Sequence, residues 1–248
     1  MQASKAVDVG CGTGVATIQI AGALPSTKVY GLDITPTPGA VRQIAPPNAA
    51  WVVGNVLDVD HTKPADDAMS REVFTPSSLD FIFGRMLFLG INDWPRYFST
   101  AFRSLKSGSI IEHQDLDWAF YRVGTSLCLS DSWEWHRAVT AGAEQSGLST
   151  RAGSDAASLM TSADFEILSV QTFEFAFVPS AKTPNSQAMG RYVQAKLVPQ
   201  YPELLRKMLG ARGVVAEDLK RLTEECLRDI ASEEGIHQKY TVTIARKS

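Results

Sequence analysis

The sequence predicts an α/β fold built on a doubly wound, mainly parallel sheet, with a helical elaboration late in the chain. Three observations carry that expectation. The first half alternates short apolar runs with helical periodicities. An early apolar run ends at once in "VDVGCGTG", 7–14, which places glycine at 10, 12 and 14. The last two strand-like runs are separated by about fifty residues of helical pattern.

The elements follow in order. "KAVDVG", 5–10, reads as a buried strand that stops at glycine. "TGVATIQIAGAL", 13–24, has apolar residues at helical spacing and ends before Pro25. "KVYGLDI", 28–34, is a second strand closing on an acidic residue. Pro36, Pro38, Pro46 and Pro47 leave room for one short helix before a third strand, "AAWVVGNV", 49–56. Residues 58–78 are polar and irregular, with a helical turn among them. "LDFIFGR", 79–85, is a fourth strand. In 93–106, Trp94, Tyr97, Phe98, Ala101, Phe102 and Leu105 share one helix face, Asp93 is placed to cap it, and Pro95 sits in its first turn. "SGSIIEHQDLD", 107–117, reads as a turn and a fifth strand. Beyond it, 130–147 and 153–163 read as helices and 165–179 as a long strand. Residues 184–234 read as helix broken near Pro199, Pro202 and Gly210, and 237–248 as a closing strand.

The totals narrow the function classes. With 44% apolar and 21% charged residues, the chain has an ordinary soluble composition, and 248 residues suit one large domain. The net charge is −3 and no Lys/Arg run stands out, which argues against a nucleic-acid ligand. No apolar run reaches membrane-spanning length, and the first residues lack the apolar core of a secretory signal. Cys11, Cys128 and Cys226 form neither a CxxC nor a zinc spacing. Those features lead to the expectation of a cytoplasmic protein with no metal.

A strand that ends in glycines and opens a helix can present backbone N–H groups at a positive helix end. A phosphate loop would need Gly-Lys-Ser/Thr, but Val15 follows Gly14. A dinucleotide fingerprint counted from Gly10 needs glycine or alanine at 15, and counted from Gly12 it needs one at 17, where Thr17 stands. Asp33 ends the second strand, where a carboxylate either accepts both hydroxyls of a ribose or caps the turn.

The actual pattern, GxGxG with Asp8 two positions before Gly10, resembles motif I of the class I S-adenosylmethionine-dependent methyltransferases. "DWPRYFSTAFRSLKSGSIIEHQD" is similar to the corresponding segment of the fungal LaeA-like methyltransferases, as are "FIFGR", "GLDITP", the late "GRY" and the closing "IHQKYTVTIARK". The likeness covers nearly the whole chain. It implies a Rossmann-like class I methyltransferase fold in a single domain, 1–248. That domain would have a seven-stranded mixed sheet, a cofactor-binding half over 1–122 and a helical cap over 184–236 between the last two strands. It also implies that Asp8, Gly10, Cys11, Gly12, Gly14, Asp33 and Ile34 hold S-adenosyl-L-methionine, with Asp8 facing the ammonium group. Asn55 and Val56 meet the adenine by the same likeness, although Asn55 also suits a loop role. Gly84, Arg85 and Met86 lie beside the methionine end, where Arg85 either pairs with the carboxylate or is a surface arginine. The family has helices before motif I that wall off the site, whereas six residues precede Val7 here. The expectation is that 184–234, a second copy or a protein partner supplies the cover, or that the pocket is open.

Methyl transfer from a sulfonium is an in-line displacement, and a base is needed only where the acceptor must lose a proton. His113, near the end of the fifth strand, and His136, in a helix with Trp133 and Trp135, are the candidate bases; each is otherwise a packed histidine. His61 lies in a polar loop and His237 before the last strand. Trp118, Phe120, Tyr121, Trp133 and Trp135 either pack a core or line a pocket for an aromatic acceptor. The residues after the fourth strand, "GRML", lack the Asn-Pro-Pro-Tyr-like element of enzymes that methylate adenine, cytosine or glutamine nitrogens. The resulting expectation is O-methylation of a small secondary metabolite. Two rivals stay open: a regulatory or binding subunit, and a cofactor-binding enzyme that cyclises or rearranges its substrate.

Overall fold

The computed structural model describes residues 4–63, 67, 69–210 and 212–248. Parts of three sequence readings therefore lie outside the described residues: the first three positions, 64–66 and 68 within the irregular 58–78 stretch, and Ala211 within the late helical region.

Seven strands form one mixed sheet in the order β3-β2-β1-β4-β5-β7-β6. They are β1 (Lys5–Val9), β2 (Lys28–Asp33), β3 (Ala49–Val53), β4 (Leu79–Arg85), β5 (Leu105–Leu116), β6 (Phe165–Ala176) and β7 (His237–Lys247). β1 pairs parallel with β2 on one side and β4 on the other; β2 pairs with β3 and β4 with β5 in the same sense. The helices are α1 (Val15–Ala23), α2 (Gly39–Ile44), α3 (Trp94–Ser104), α4 (Glu134–Gln145), α5 (Ala152–Ser162), α6 (Gln187–Tyr192), α7 (Tyr201–Gly210) and α8 (Ala216–Asp229).

Backbone contacts divide the chain into two compact units, the first comprising 1–115, 155–171 and 242–248 and the second 116–154 and 172–241. In the first, Ala6, Val7, Val29, Leu79, Ile82 and Ile111 from neighbouring strands are fully buried. Continuous apolar runs of this kind are what a parallel sheet covered on both faces demands. α3 adds Tyr97 and Phe98. Its start follows the sequence reading: Asp93 Oδ1 accepts the Arg96 N–H at 3.0 Å, and a proline occupies the first turn. Asn48 Nδ2 donates to the carbonyls of Ala21, Leu24 and Thr27 at 2.8–3.0 Å, which satisfies acceptors left bare at the end of α1. At the same amino-terminal rim of the sheet, Asp80 accepts the N–H groups of Ser4 and Lys5 and pairs with Lys106 at 2.8 Å.

In the second unit, Phe120, Trp135, Val139, Leu205, Cys226 and Ile230 are fully buried, and α4, α7 and α8 pack together. The late helical region is more broken than its composition suggested. A 3₁₀ turn at Pro184–Ser186, a π turn at Val193–Leu197 and another 3₁₀ turn at Val198–Gln200 separate the helices. Pro199 breaks the helix as expected, but Pro202 lies in the first turn of α7, where its missing N–H is harmless.

Two local differences from the sequence reading have clear causes. The third strand stops at Val53 because Asn55 Oδ1 accepts the Leu57 N–H and opens a 3₁₀ turn over Val56–Asp58. The expected turn before β5 is instead a bulge inside it: Leu79 pairs with Leu105 while Phe81 already pairs with Ile110. Gly108, at φ 79°, supplies the left-handed residue that bulge needs.

Candidate functional site

The strand order reverses between β1 and β4, and in open α/β sheets ligands bind beyond the carboxyl ends of strands at such a switch point. A cleft of about 190 Å³ opens there, entirely within the first unit. One wall carries Asp33 and Ile34 from the end of β2 and Gly54, Asn55 and Val56 from the end of β3. The other carries Gly10 and the Met86–Ile91 turn that follows β4.

The glycine loop is held from within. The Cys11 N–H donates to Leu32 O at 2.9 Å, the Gly14 N–H to Cys11 O at 2.8 Å, and the Gly12 N–H to Asp33 Oδ2 at 2.8 Å. Gly10 and Gly14 adopt φ 68° and 81°, and neither could carry a Cβ. One on Gly10 would collide with Leu87, and one on Gly14 would sit 2.6 Å from the Trp51 ring. Cys11 is buried with Sγ 3.6 Å from Thr37 Oγ1, and burial pushes its thiol up to about 11.

Asp33 is half-buried. Its Oδ1 accepts both the N–H and the hydroxyl of Thr35 at 2.9 Å. The carboxylate therefore orders the loop on either side and keeps acceptor capacity toward the cleft. The loop's N–H groups at 11, 12 and 14 are committed, and among the described residues the one charged side chain on the cleft wall is an anion. That arrangement repels a pyrophosphate and suits the two hydroxyls of an unphosphorylated ribose. Ile34, 69% exposed, and buried Val56 provide apolar surface for a flat ring, and Asn55 Oδ1 keeps one lone pair beside the one given to Leu57.

Asp8 lies one step behind the wall. It is 2% exposed and its Oδ2 accepts the Thr17 hydroxyl at 2.6 Å. Burial raises its carboxyl to about 6, partly offset by that hydrogen bond and by Arg85. Arg85 is exposed at the end of β4, its guanidinium 6.0 Å from the Phe83 ring centre, and it is not among the residues lining the cleft.

The two candidate bases are placed differently. His113 pairs with Gly84 in the β4–β5 register and is fully buried. Trp94, Tyr97 and Phe98 surround its ring at 5.3–6.3 Å, and neither ring nitrogen has a hydrogen-bond partner. Its Nε2 stands 3.5 Å from Asp115 Oδ2, too far for a good bond, and that oxygen accepts the Leu87 N–H at 2.8 Å. Burial pushes the imidazole down to about 3, so it is neutral and weakly basic near pH 7. His136 belongs to the second unit. Its Nε2–H donates to Trp118 O at 2.6 Å, Phe120 and Trp135 meet its ring edge-on, and burial lowers its pKa. The aromatic residues around it pack on one another, Trp133 stacked on Trp135 at 5.7 Å and Phe120 edge-on to Phe177 at 4.8 Å. Trp118, Phe120 and Trp135 are buried as a packed core. His61, read as a loop residue, is half-buried and bonded to Phe74 O at 2.8 Å; His237 bonds Gly235 O at 3.1 Å.

Sequence reasoning missed Leu87, Gly90, Ile91, Tyr97 and Asp115. Only the acid of "HQD", at the carboxyl end of a predicted strand, could have drawn attention to Asp115. No helix among the described residues is long and apolar enough to cross a membrane.

With this geometry in view, comparisons with known proteins place the chain. No curated protein matches it in sequence. Several solved structures share the fold. Phosphoethanolamine N-methyltransferase 2 of Haemonchus contortus, solved with S-adenosyl-L-methionine, superposes at a TM-score of 0.57 and 14% identity, over 99% of this chain and 49% of that one. This chain thus spans about half the length of that protein. Geranyl diphosphate C-methyltransferase of Streptomyces coelicolor A3(2), solved with Mg²⁺, geranyl diphosphate and S-adenosyl-L-homocysteine, matches at 0.52 and 13%, over 100% and 73%. The [4+2]-cyclase SpnF matches at 0.55 and 14%, over 99% and 74%. The model of the methyltransferase-domain family matches residues 2–170, more than half of the sequence, and the chain belongs to that family.

Proposed function

We propose that the protein binds S-adenosyl-L-methionine in the cleft beyond β1 and β4 and transfers its methyl group to a small molecule, an oxygen of a secondary metabolite. One observation carries the reading: a carboxylate at the end of β2 faces a glycine turn whose N–H groups at 11, 12 and 14 are already committed. That combination selects a nucleoside with free ribose hydroxyls over a nucleotide.

Asp33 accepts the ribose hydroxyls while holding Gly12 and Thr35 in place. Asn55 accepts from the adenine amino group, and Ile34 and Val56 cover the ring faces. Asp8, ionised, attracts the ammonium group. When bound, the cofactor would supply an electrophilic methyl carbon on a sulfonium, with the neutral thioether as leaving group. The chain's remaining contribution is alignment and the exclusion of water. His113, neutral in its aromatic box, is not placed to take a proton. The acceptor that suits this site is therefore an oxygen already ionised near pH 7, such as a carboxylate. Likeness to the fungal LaeA-like group supports an acceptor from secondary metabolism.

Calorimetry tests the reading. Wild-type protein is expected to bind S-adenosylmethionine and not NAD, and Asp33→Ala to lose most of that affinity. Binding of NAD, or no binding of S-adenosylmethionine, rejects it. The fold shared with the SpnF cyclase, and the absence of a histidine from the cleft wall among the described residues, favour one second reading, rearrangement without methyl transfer. Incubation of candidate acceptors with methyl-labelled cofactor separates the two, because only transfer puts label in the product.

A further inference from the structure

The switch point itself is occupied by a side chain. Leu87 sits between two glycines at the ends of adjacent strands: a Cβ on Gly10 would collide with its Cδ2, and one on Gly84 would lie 3.0 Å from its Cδ1. Gly84 is in register with Val9, the residue before Gly10, so the two glycines form a seat for one apolar group. Leu87 is 6% exposed there. Behind the seat, Tyr97 Oη and His113 Nδ1 lie 2.7 and 3.5 Å from the position of a Gly84 Cβ, both buried and without hydrogen-bond partners.

The Leu87 main chain is pinned. Its N–H donates to Asp115 Oδ2 at 2.8 Å, and its carbonyl accepts the N–H groups of Gly90 at 2.7 Å and Ile91 at 3.0 Å. The side chain can leave its seat by rotation about its own bonds, with the backbone held. The open part of the cleft is small. Its volume of about 190 Å³ is below the roughly 300–1,000 Å³ of pockets that engulf a drug-sized ligand. Its outer wall is Asp33, Ile34, Asn55 and Val56, the half assigned above to adenosine.

We infer that Leu87 sets the ligand specificity of the cleft by covering the half that receives the cofactor's amino-acid arm. A thionucleoside without that arm enters a preformed site. A ligand with the arm must first turn Leu87 out and expose it, which lowers its apparent affinity by the population of the open rotamer. The inference rests on the reading of the cleft as a site for S-adenosylmethionine. It makes 5′-methylthioadenosine and related thionucleosides strong competitors for this protein.

The test is calorimetry with S-adenosylhomocysteine and 5′-methylthioadenosine on wild type, Leu87→Ala and Leu87→Val, each checked by thermal melting. Leu87→Ala is expected to bind S-adenosylhomocysteine about tenfold more tightly, equal to about 1.4 kcal/mol, and methylthioadenosine within about twofold of wild type. Leu87→Val, which keeps more of the packing, is expected to fall between and carries the comparison if the alanine variant melts too low. Equal changes for both ligands, or weaker S-adenosylhomocysteine binding, overturn the inference and make Leu87 a simple wall. If wild type binds both ligands and Asp33→Ala loses both, the cofactor reading stands whatever Leu87 does. If wild type binds neither, both readings fall.

Discussion

On the β2–β3 side of the cleft the polar groups are partnered by the protein and still face open space. On the β4–β5 side Tyr97 Oη and both His113 nitrogens are buried, without partners, behind a leucine. Asp33 and Asn55 each fasten their own loop, through Gly12, Thr35 and Leu57, so their positions are set before any ligand arrives. The unpartnered groups on the other side carry the desolvation cost of an unsatisfied donor or acceptor, on the order of 1–3 kcal/mol each. The contrast is one of preorganisation: on one half of the cleft the polar groups are already fixed in place, and on the other polar atoms lie in a packed core behind an apolar cover.

The largest expected effect breaks the β2–β3 side. Asp33→Ala removes a charged acceptor from Gly12 and Thr35 as well as from the ribose. Affinity for S-adenosylmethionine and for methylthioadenosine should drop by about 100-fold or more in calorimetry.

Asp8 gives the next effect. Its folded carboxyl titrates near 6 against 3.8 for an ordinary one, so between those values the native state holds a proton that the unfolded chain has lost. Stability from this group is therefore greatest below about pH 4 and declines as pH rises through 6, by up to about 3 kcal/mol. Asp8→Asn, which can still accept from Thr17, should melt higher than wild type at pH 8 and show a flatter pH dependence between 4 and 6. Ligand binding runs the other way. An ammonium group prefers the ionised carboxylate, so S-adenosylhomocysteine affinity in wild type should weaken by about tenfold per unit below pH 6, while methylthioadenosine stays level. Parallel pH profiles for the two ligands would remove Asp8 from the amino-acid half.

A smaller effect sharpens the packed side. His113→Phe keeps the aromatic box and removes two unpartnered nitrogens, so it should leave kcat/KM within about threefold and stabilise the fold by about 1 kcal/mol or more. A loss of 100-fold in turnover with folding intact would restore His113 as the base. The smallest change expected is at Met86, whose φ of 57° costs a non-glycine residue roughly 1 kcal/mol. Met86→Gly should therefore be neutral or stabilising by under about 1 kcal/mol in a denaturant titration, because the relieved strain outweighs the freer unfolded chain.

Much of the fold and the β2–β3 side of the cleft can be read locally. The strand-to-glycine transition at Val9–Gly10, the acid closing β2 at Asp33 and the cap at Asp93 depend on neighbours within a few residues, and each sits where its spacing placed it. Asn55 both caps a turn and lines the cleft. The packed side could not be read this way. His113 meets Gly84 only through the β4–β5 register, Leu87 reaches Gly10 only because β1 and β4 are paired, and Asp115 holds Leu87 across 28 positions of chain. The aromatic run from Trp118 to Trp135 was ambiguous for the same reason. Its contacts with Phe177 and Tyr201 come from distant segments and turn a possible cage into a core.

By itself, then, the amino-acid order determined the alternation of strands and helices, the left-handed glycine turn and the carboxylate that closes the second strand. Backbone sterics and hydrogen bonds of short range suffice for these. Tertiary structure alone decided which histidine is neutral, which leucine covers the switch point and which aromatic rings are core. Burial and its electrostatic consequences depend on which distant strands come to lie side by side.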